Sequence, residues 1–304
     1  MDFYIGDEEL KKYFSNISFI FNNIKLIREH LDIIFVFGSV DKKSSGRSLF
    51  MDFIENKQNT PFNFVTIESL YSDLREYAFK EKGAKLEKIK LAELEYMAIK
   101  NAFSVLIFPE SPGSFAELGY FSAREDTRKK IIVSNQLKYY NKQTYVNSVI
   151  DFIHEDKEIK PIIYTDTENE LHFENYINNL LKSYTDYHNE IYKELKKTDE
   201  HMFPIAVLYE LIKLFPFLIF SELLSLIKYA FEELSIKIEK IEDYLKSMIS
   251  LLVISNLIER KEFEGKKFFC VIDDNFSCFK FKNTEAEHLK ILLHIKEINE
   301  RKSL

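Results

Sequence analysis

FPESPGSFAELGYF, residues 108–121, compresses the end of an apolar strand, a Pro/Gly/Ser turn and the opening turns of a helix into one short run. The strand it ends is FSVLIFPES (103–111), and the helix runs from Phe115 to about Glu125. Upstream, LEKIKLAELEYMAIKNA from Leu86 sets Leu86, Ile89, Leu94, Met97 and Ala98 at helical spacing, which predicts an amphipathic helix entering that strand. Downstream, KKIIVSN (129–135) is a further strand. Towards the N-terminus the alternation repeats: strand LDIIFVFGSV (31–40), polar loop DKKSSGR, helix SLFMDFIENK (48–57) and strand FNFVTIESL (62–70). Continuous apolar strands separated by helices predict an α/β fold, a doubly wound and mostly parallel sheet buried on both faces.

The chain has 304 residues, enough for two cores. After about residue 160 the pattern turns polar and helical (HFENYINNLLKSYTDYHNEIYKELKK), with a mixed-charge face. From Met202 three helical patterns follow one another, and then NLIERKEFEGKKFFCVIDD (256–274) folds back on itself at Glu264-Gly265. Three helices and a hairpin is the order of a winged helix; a small helical bundle with an incidental hairpin is the other reading. The organisation expected is an α/β domain over 1–163, a helical connector over 164–200, and a smaller α+β winged-helix-like domain over 201–304.

Composition narrows the function classes. With 46% hydrophobic and 30% charged residues the chain can bury real cores. A net charge of −7 argues against coating nucleic acid by bulk electrostatics, though a local basic patch remains open. Cys270 and Cys278 form no CxxC, and the seven histidines are scattered without ligand spacing, so no metal site is expected. GxSxG is absent, which removes the usual serine hydrolase. The N-terminus MDFYIGDEELKKYF lacks the basic and apolar regions of a signal peptide. The most apolar run, LIKLFPFLIFSELLSLI, is broken by Lys213, Pro216 and Glu222 and predicts core rather than membrane span. A cytoplasmic protein without a membrane partner is expected.

In doubly wound sheets ligands bind beyond the C-terminal ends of the strands, where loops such as FPESPGSF lie. There Pro109 and Pro112 stiffen the turn, Gly113 lets backbone approach a ligand, and the helix N-terminus offers unpaired N–H groups. Glu117, one turn in, projects back towards the same mouth. Ser114-Phe-Ala-Glu117 also fits the capping box S-x-x-E, in which the glutamate only satisfies its own helix start. Against that stand the neighbours that the topology brings to one cleft: Gly38-Ser39 at the end of the first strand, Glu110-Ser111 on the same loop, and Glu95 on the helix before it. Gly38 to Gly46 is too long a gap for a P-loop, position 47 is Arg, and GxGxxG is missing.

With these residues in view, LIFPESPGSFAELGYFS followed by KKIIV resembles the signature of the nucleoside 2-deoxyribosyltransferase-like superfamily, and more narrowly its retron effectors. The resemblance covers about residues 86–135. It implies that Glu117 is the catalytic carboxylate attacking an anomeric carbon, and that Gly38, Ser39, Glu95, Pro109, Glu110, Ser111, Gly113 and Ser114 line a nucleotide pocket. Transferases of the superfamily carry an Asp-rich or Asp-Ser-Gly loop where this chain has Glu-Ser-Pro-Gly-Ser, a departure that leaves glycosidic cleavage more open than base exchange. The resemblance also implies a C-terminal winged-helix-like domain, partners in the retron reverse transcriptase and its branched RNA–DNA (msDNA), a homo-oligomer or higher assembly, and a toxin released on phage infection in antiviral defence.

Cleaving an N-glycosidic bond builds positive charge at the ribose C1, which a carboxylate stabilises or traps. Nicotinamide leaves neutral from a cationic pyridinium and needs no general acid, so a site with one committed carboxylate suits NAD as substrate, with no further cofactor. Two rivals stay open: an enzyme acting on another nucleoside or nucleotide, and a non-catalytic nucleotide sensor. On the hairpin, Arg260, Lys261, Lys266 and Lys267 form either a phosphate-contacting tip for nucleic acid or a partner, or an ordinary solvated hairpin.

Overall fold

The computed structural model describes residues 24–26, 31–39, 45–56, 60–78, 91–154, 162–165, 170–190, 202–215, 218–263, 265–273 and 276–281. The chain divides into two compact units, His30–Glu190 and a second formed by Met1–Glu29 with Ile191–Leu304. Of the strands numbered along the chain, β1 (Ile24–Leu26) belongs to the second unit.

In the first unit, β2 (Leu31–Phe37), β3 (Asn63–Val65), β4 (Ala102–Ile107), β5 (Ile131–Gln136) and β6 (Ile162–Thr165) form one parallel sheet in the order β3-β2-β4-β5-β6. Helices α1 (Gly46–Glu55), α2 (Ile67–Ala78) and α3 (Leu91–Asn101) lie along the chain between β2 and β4. Helices α4 (Pro112–Ser122) and α5 (Glu125–Arg128) link β4 to β5, α6 (Tyr145–His154) links β5 to β6, and α7 (Glu170–Glu190) follows.

Strand alternation sends successive side chains to opposite faces. Ile34, Val36, Leu106 and Phe108 share one core with Phe50 of α1 and with Phe173, Tyr176, Ile177 and Leu180 of α7. Phe50 is its hub, with ring centroids 5.2–5.9 Å from those of Phe64, Phe108, Phe173 and Tyr176. On the other face Phe37 meets Phe121 of α4 at 5.5 Å. The sheet is therefore parallel throughout and covered on both sides, which is why its strands read as unbroken apolar runs.

Three expected boundaries are corrected. The run 62–70 is strand only over Asn63–Val65 and becomes helix at Ile67. Thr66 stops the strand: its Oγ1 accepts from the Ser69 N–H at 3.3 Å, and Ile67, Leu70 and Leu74 are buried at helical spacing. The helix expected over 48–57 begins at Gly46, capped by Ser45, whose side chain accepts from the Ser48 N–H. The helix expected from Phe115 begins at Pro112, a residue pre-set for the first helical position. Residues 86–90, the first turn expected for α3, lie outside the described residues.

In the second unit α8 (Met202–Leu214), α9 (Phe220–Glu233) and α10 (Ile241–Ile254) precede the antiparallel hairpin of β7 (Ile258–Phe263) and β8 (Lys266–Val271). Gly265 holds φ at 72° in the turn, a conformation open to glycine at no steric cost. Leu218, between α8 and α9, makes an isolated bridge to Phe269 of β8. β9 (Phe279–Phe281) pairs antiparallel with β1. Helix α8 anchors the segment beyond the hairpin. The Tyr209 hydroxyl donates to the Asp273 carbonyl at 3.0 Å, and the buried Glu210 Oε1 accepts from the Ser277 hydroxyl at 2.6 Å and the Cys278 N–H at 3.0 Å. Cys270 and Cys278 are buried free thiols.

Phe50→Ala removes the ring on which α1, α7 and the sheet converge. It should lower stability by about 3–5 kcal/mol, read as a shift in the denaturant midpoint. Tyr140→Ala, at a side chain left 56% exposed, should stay within about 0.5 kcal/mol of the parent.

Candidate active site

The chain leaves β2 towards β3 and leaves β4 towards β5, on opposite sides, so a crevice opens where the C-terminal ends of these adjacent strands part. β2 ends there in Phe37-Gly38. A Cβ on Gly38 would sit 2.7 Å from the Arg47 Cβ and 3.1 Å from the Phe108 Cβ, so the glycine lets α1 close against both strand ends. Arg47 is buried at 7% exposure. One guanidinium nitrogen donates to the Gly38 carbonyl at 3.2 Å, and the two nitrogens grip the Glu68 carboxylate at 3.0 and 2.6 Å.

A cluster of acids gathers around this pair. Tyr71, one turn along α2 from Glu68, donates its hydroxyl to Glu95 Oε1 of α3. Burial and then the Glu68 charge push Glu95 up, although the Tyr71 hydrogen bond opposes the shift. Glu117 of α4 is pushed up to about 7, first by burial, then by Glu95 and Glu68, with Arg47 pulling the other way. Burial opposes ionisation of Glu68 too, but its bonds to Arg47 hold it below the ordinary carboxylate range. The Tyr71 phenol is driven upward by burial, its bond to Glu95 and the charges of Glu95, Glu117 and Glu68.

The β4–α4 turn decides which glutamate caps the helix. Ser111 is the N-cap: its Oγ accepts from the Ser114 N–H at 3.2 Å, while Ser114 Oγ accepts from the Ser111 N–H at 2.9 Å and the Glu110 N–H at 3.0 Å. The box thus closes between two serines, one turn earlier than S-x-x-E at Ser114 would place it, and Glu117 has no part in it. The Glu110 carboxylate reaches across to α1, where its Oε1 accepts from the Gly46 N–H at 2.5 Å. An anion at a helix N-terminus is favoured by the orphan N–H groups and the helix dipole. A Cβ on Gly46 would lie 2.7 Å from that oxygen and 2.8 Å from the Phe108 Cδ1, so a side chain there would crowd both.

Of the residues singled out from the sequence, Gly38, Glu95 and Glu117 come together at the crevice. Ser39 is buried at 8% exposure, its carbonyl accepting from Ser45 Oγ at 3.2 Å. Pro109 and Glu110 face a separate cavity of about 630 Å³ beyond β4 and β5, which Glu95 and Glu117 do not line. Ser111 and Ser114 are engaged in the cap, and a Cβ on Gly113 would meet only Ser111 Oγ, at 3.8 Å. Arg47, Glu68 and Tyr71 were not singled out from the sequence. Thr66-Ile67-Glu68-Ser69, a capping residue before an i, i+3, i+7 apolar series, was the available signal for the last two.

On the hairpin, register sets Glu262 directly opposite Lys267, and Lys261 pairs with Glu259 at 2.8 Å. Each carboxylate offsets a lysine, so the tip carries less net positive charge than its four basic residues suggest. Among the described residues no group of three or more His, Cys, Asp or Glu is placed to hold a metal ion, and no helix is long and apolar enough to cross a membrane.

Fold and crevice together define an α/β protein with a half-buried acidic cluster where its sheet reverses order. The chain belongs to the STM3845 retron effector protein family, whose model matches residues 43–260. It is also similar to two Escherichia coli proteins, each named as a candidate ribosyltransferase/DNA-binding protein. That of retron Ec86 is 40% identical over 57 residues, 19% of each chain, and that of retron Ec73 is 36% identical over 76 residues, 24% of each chain. The chain thus matches between about a fifth and a quarter of the length of these relatives.

Raising the Glu117 carboxyl to about 7 in the folded state means its ionisation works against folding. That stabilising contribution is whole below the unfolded value and is lost as the pH rises through about 7. Glu117→Gln should therefore match the parent in acid and exceed it above neutrality by about 1–2 kcal/mol, a gain reduced by solvent contact. Thermal melts of both proteins across this range check it.

Proposed function

We propose that the chain is an N-glycosidase that hydrolyses NAD to nicotinamide and ADP-ribose, with Glu117 as the catalytic carboxylate. One observation carries the reading. Glu117 takes no part in helix capping and stands half-buried beside Glu95 and Glu68, with the Arg47 guanidinium bonded to Glu68 and pulling only against the rise of Glu117. Such a crevice favours a cationic ring: a bound pyridinium offsets the repulsion that raises Glu117 and so increases its ionised fraction.

In this reading a Glu117 oxygen attacks the ribose C1 as the C1–N bond breaks. The bonding pair passes to the pyridinium nitrogen, and nicotinamide leaves neutral. Water then attacks C1, the ester bond to Glu117 breaks, and the water's second proton passes to the carboxylate or to solvent. Tyr71 holds Glu95 by its hydroxyl, and Arg47 fixes Glu68, so both neighbours keep their places while charge develops. The relatives' names favour a second reading, in which the glycosyl group passes to an acceptor base instead of water. Product masses with and without added base separate the two.

Membership of the retron effector family supports a role in antiviral defence. There, the retron reverse transcriptase and its branched RNA–DNA would be the partners, and depletion of NAD the toxic outcome. The second unit supports a winged-helix reading through its order of helix, bridge at Leu218, two helices and hairpin. Arg260, Lys261, Lys266 and Lys267 would be its contacts to nucleic acid or protein.

Three results are expected. For the parent, kcat/KM for NAD should rise as the pH passes through about 7 and then level off, because the free enzyme must be ionised at Glu117. Glu117→Gln should lower turnover by about a thousand-fold or more while retaining the fold by circular dichroism. If nucleic acid meets the hairpin, replacing Lys266 and Lys267 by alanine should reduce the slope of log affinity against log salt by about two.

A further inference from the structure

The cavity beyond β4 and β5 is a second site with chemistry of its own. Its volume of about 630 Å³ lies within the range of small-molecule pockets. Phe115, Tyr139 and Tyr145 line it and remain 39%, 37% and 64% exposed, three large rings that no core covers. Lys138 also lines it, its ammonium 5.1 Å from the Tyr139 ring centroid. Gln136, at the end of β5, adds a side-chain amide, and Glu110 adds a carboxylate.

Glu110 is only half satisfied. Its Oε1 accepts from the Gly46 N–H, but its Oε2 is buried without a hydrogen-bond partner among the described residues. A buried carboxylate oxygen left unpaired is costly, and folded proteins rarely keep one without a role. Glu110 is a lining residue of the aromatic cavity, and a ligand that enters it and shifts the cover over Oε2 can supply the missing donor.

Planar stacking faces, an unsatisfied acceptor, an amide able to donate and accept, and an ammonium at the same cavity together match one class of ligand. We propose that this cavity binds an amino-bearing nucleobase of a nucleotide, adenine being the probe. The base stacks against the tyrosines, its amino group donates to Glu110 Oε2, and Lys138 meets phosphate. Glutamine amides pair with the N6/N7 edge of adenine, and base–aromatic stacking is strong and geometrically tolerant. The base can belong to a free nucleotide or to the second half of a dinucleotide substrate. Only the latter source rests on the NAD reading given above.

Equilibrium titration with AMP tests the site without requiring turnover. The parent and Glu117→Gln should bind AMP alike, and Glu110→Gln and Tyr145→Ala should each weaken binding about ten-fold. Glu110→Gln keeps an oxygen for the Gly46 N–H, and the Tyr145 ring is mostly exposed, so each variant should melt close to the parent. If Glu110→Gln also raises KM for NAD about ten-fold but leaves cleavage of nicotinamide mononucleotide unchanged, the base belongs to the substrate. If AMP binding falls while KM for NAD holds, the site takes a separate nucleotide. Absence of AMP binding, or binding untouched by both cavity variants, overturns the proposal. Loss of binding in Glu117→Gln alone overturns it as well, by locating AMP in the crevice instead.

Discussion

One buried guanidinium organises the acidic crevice. Arg47 donates to the backbone at the end of β2 and grips Glu68 with both nitrogens, tying α1, α2 and the central strand together at the point where the sheet changes direction. It holds Glu68 ionised, and its pull on Glu117 is too weak to offset burial and the two neighbouring acids. The acids of the cluster therefore outnumber the cation beside them. Desolvation is offset only when opposite charge arrives at close range.

The close approach that permits this rests on two glycines with different tasks. Gly38 allows the Arg47 stem to lie against the strand end, and Gly46 allows its own N–H to reach the Glu110 carboxylate. Together they pin the start of α1 between β2 and β4. The same first turn of α1 thus touches both the acidic cluster, through Arg47, and the aromatic cavity's Glu110, through the Gly46 N–H. Two glutamates only seven positions apart on one loop and helix serve different environments because the cap formed by Ser111 and Ser114 turns the chain between them.

Much of this was legible along the chain. Strand runs such as Leu31–Phe37 and Ala102–Ile107 announce themselves because burial on both faces leaves no polar alternation. The hairpin of the second unit was legible from Gly265 between two β-rich runs, and the three helices before it from their period. Less visible was the break at Thr66, where a strand of three residues hands over to a helix and two apolar codes overlap. That overlap concealed Glu68 and Tyr71. The pairing of β1 with β9 joins residues 24–26 to 279–281, and no local signal encodes a partner so distant along the chain.

The sequence by itself determined the parallel α/β class, the position of the β4–α4 turn and the presence of an acid one turn beyond it, because periodicity and turn chemistry are local properties. Tertiary structure alone decided the surroundings of that acid. Whether Glu117 caps its helix or faces a cleft depended on Ser111 taking the N-cap. Its elevated pKa depended on burial and on Glu95 and Glu68 arriving from two other helices, with Arg47 opposing them from a third. Burial and the sum of neighbouring charges are set by packing, and no reading of one segment contains them.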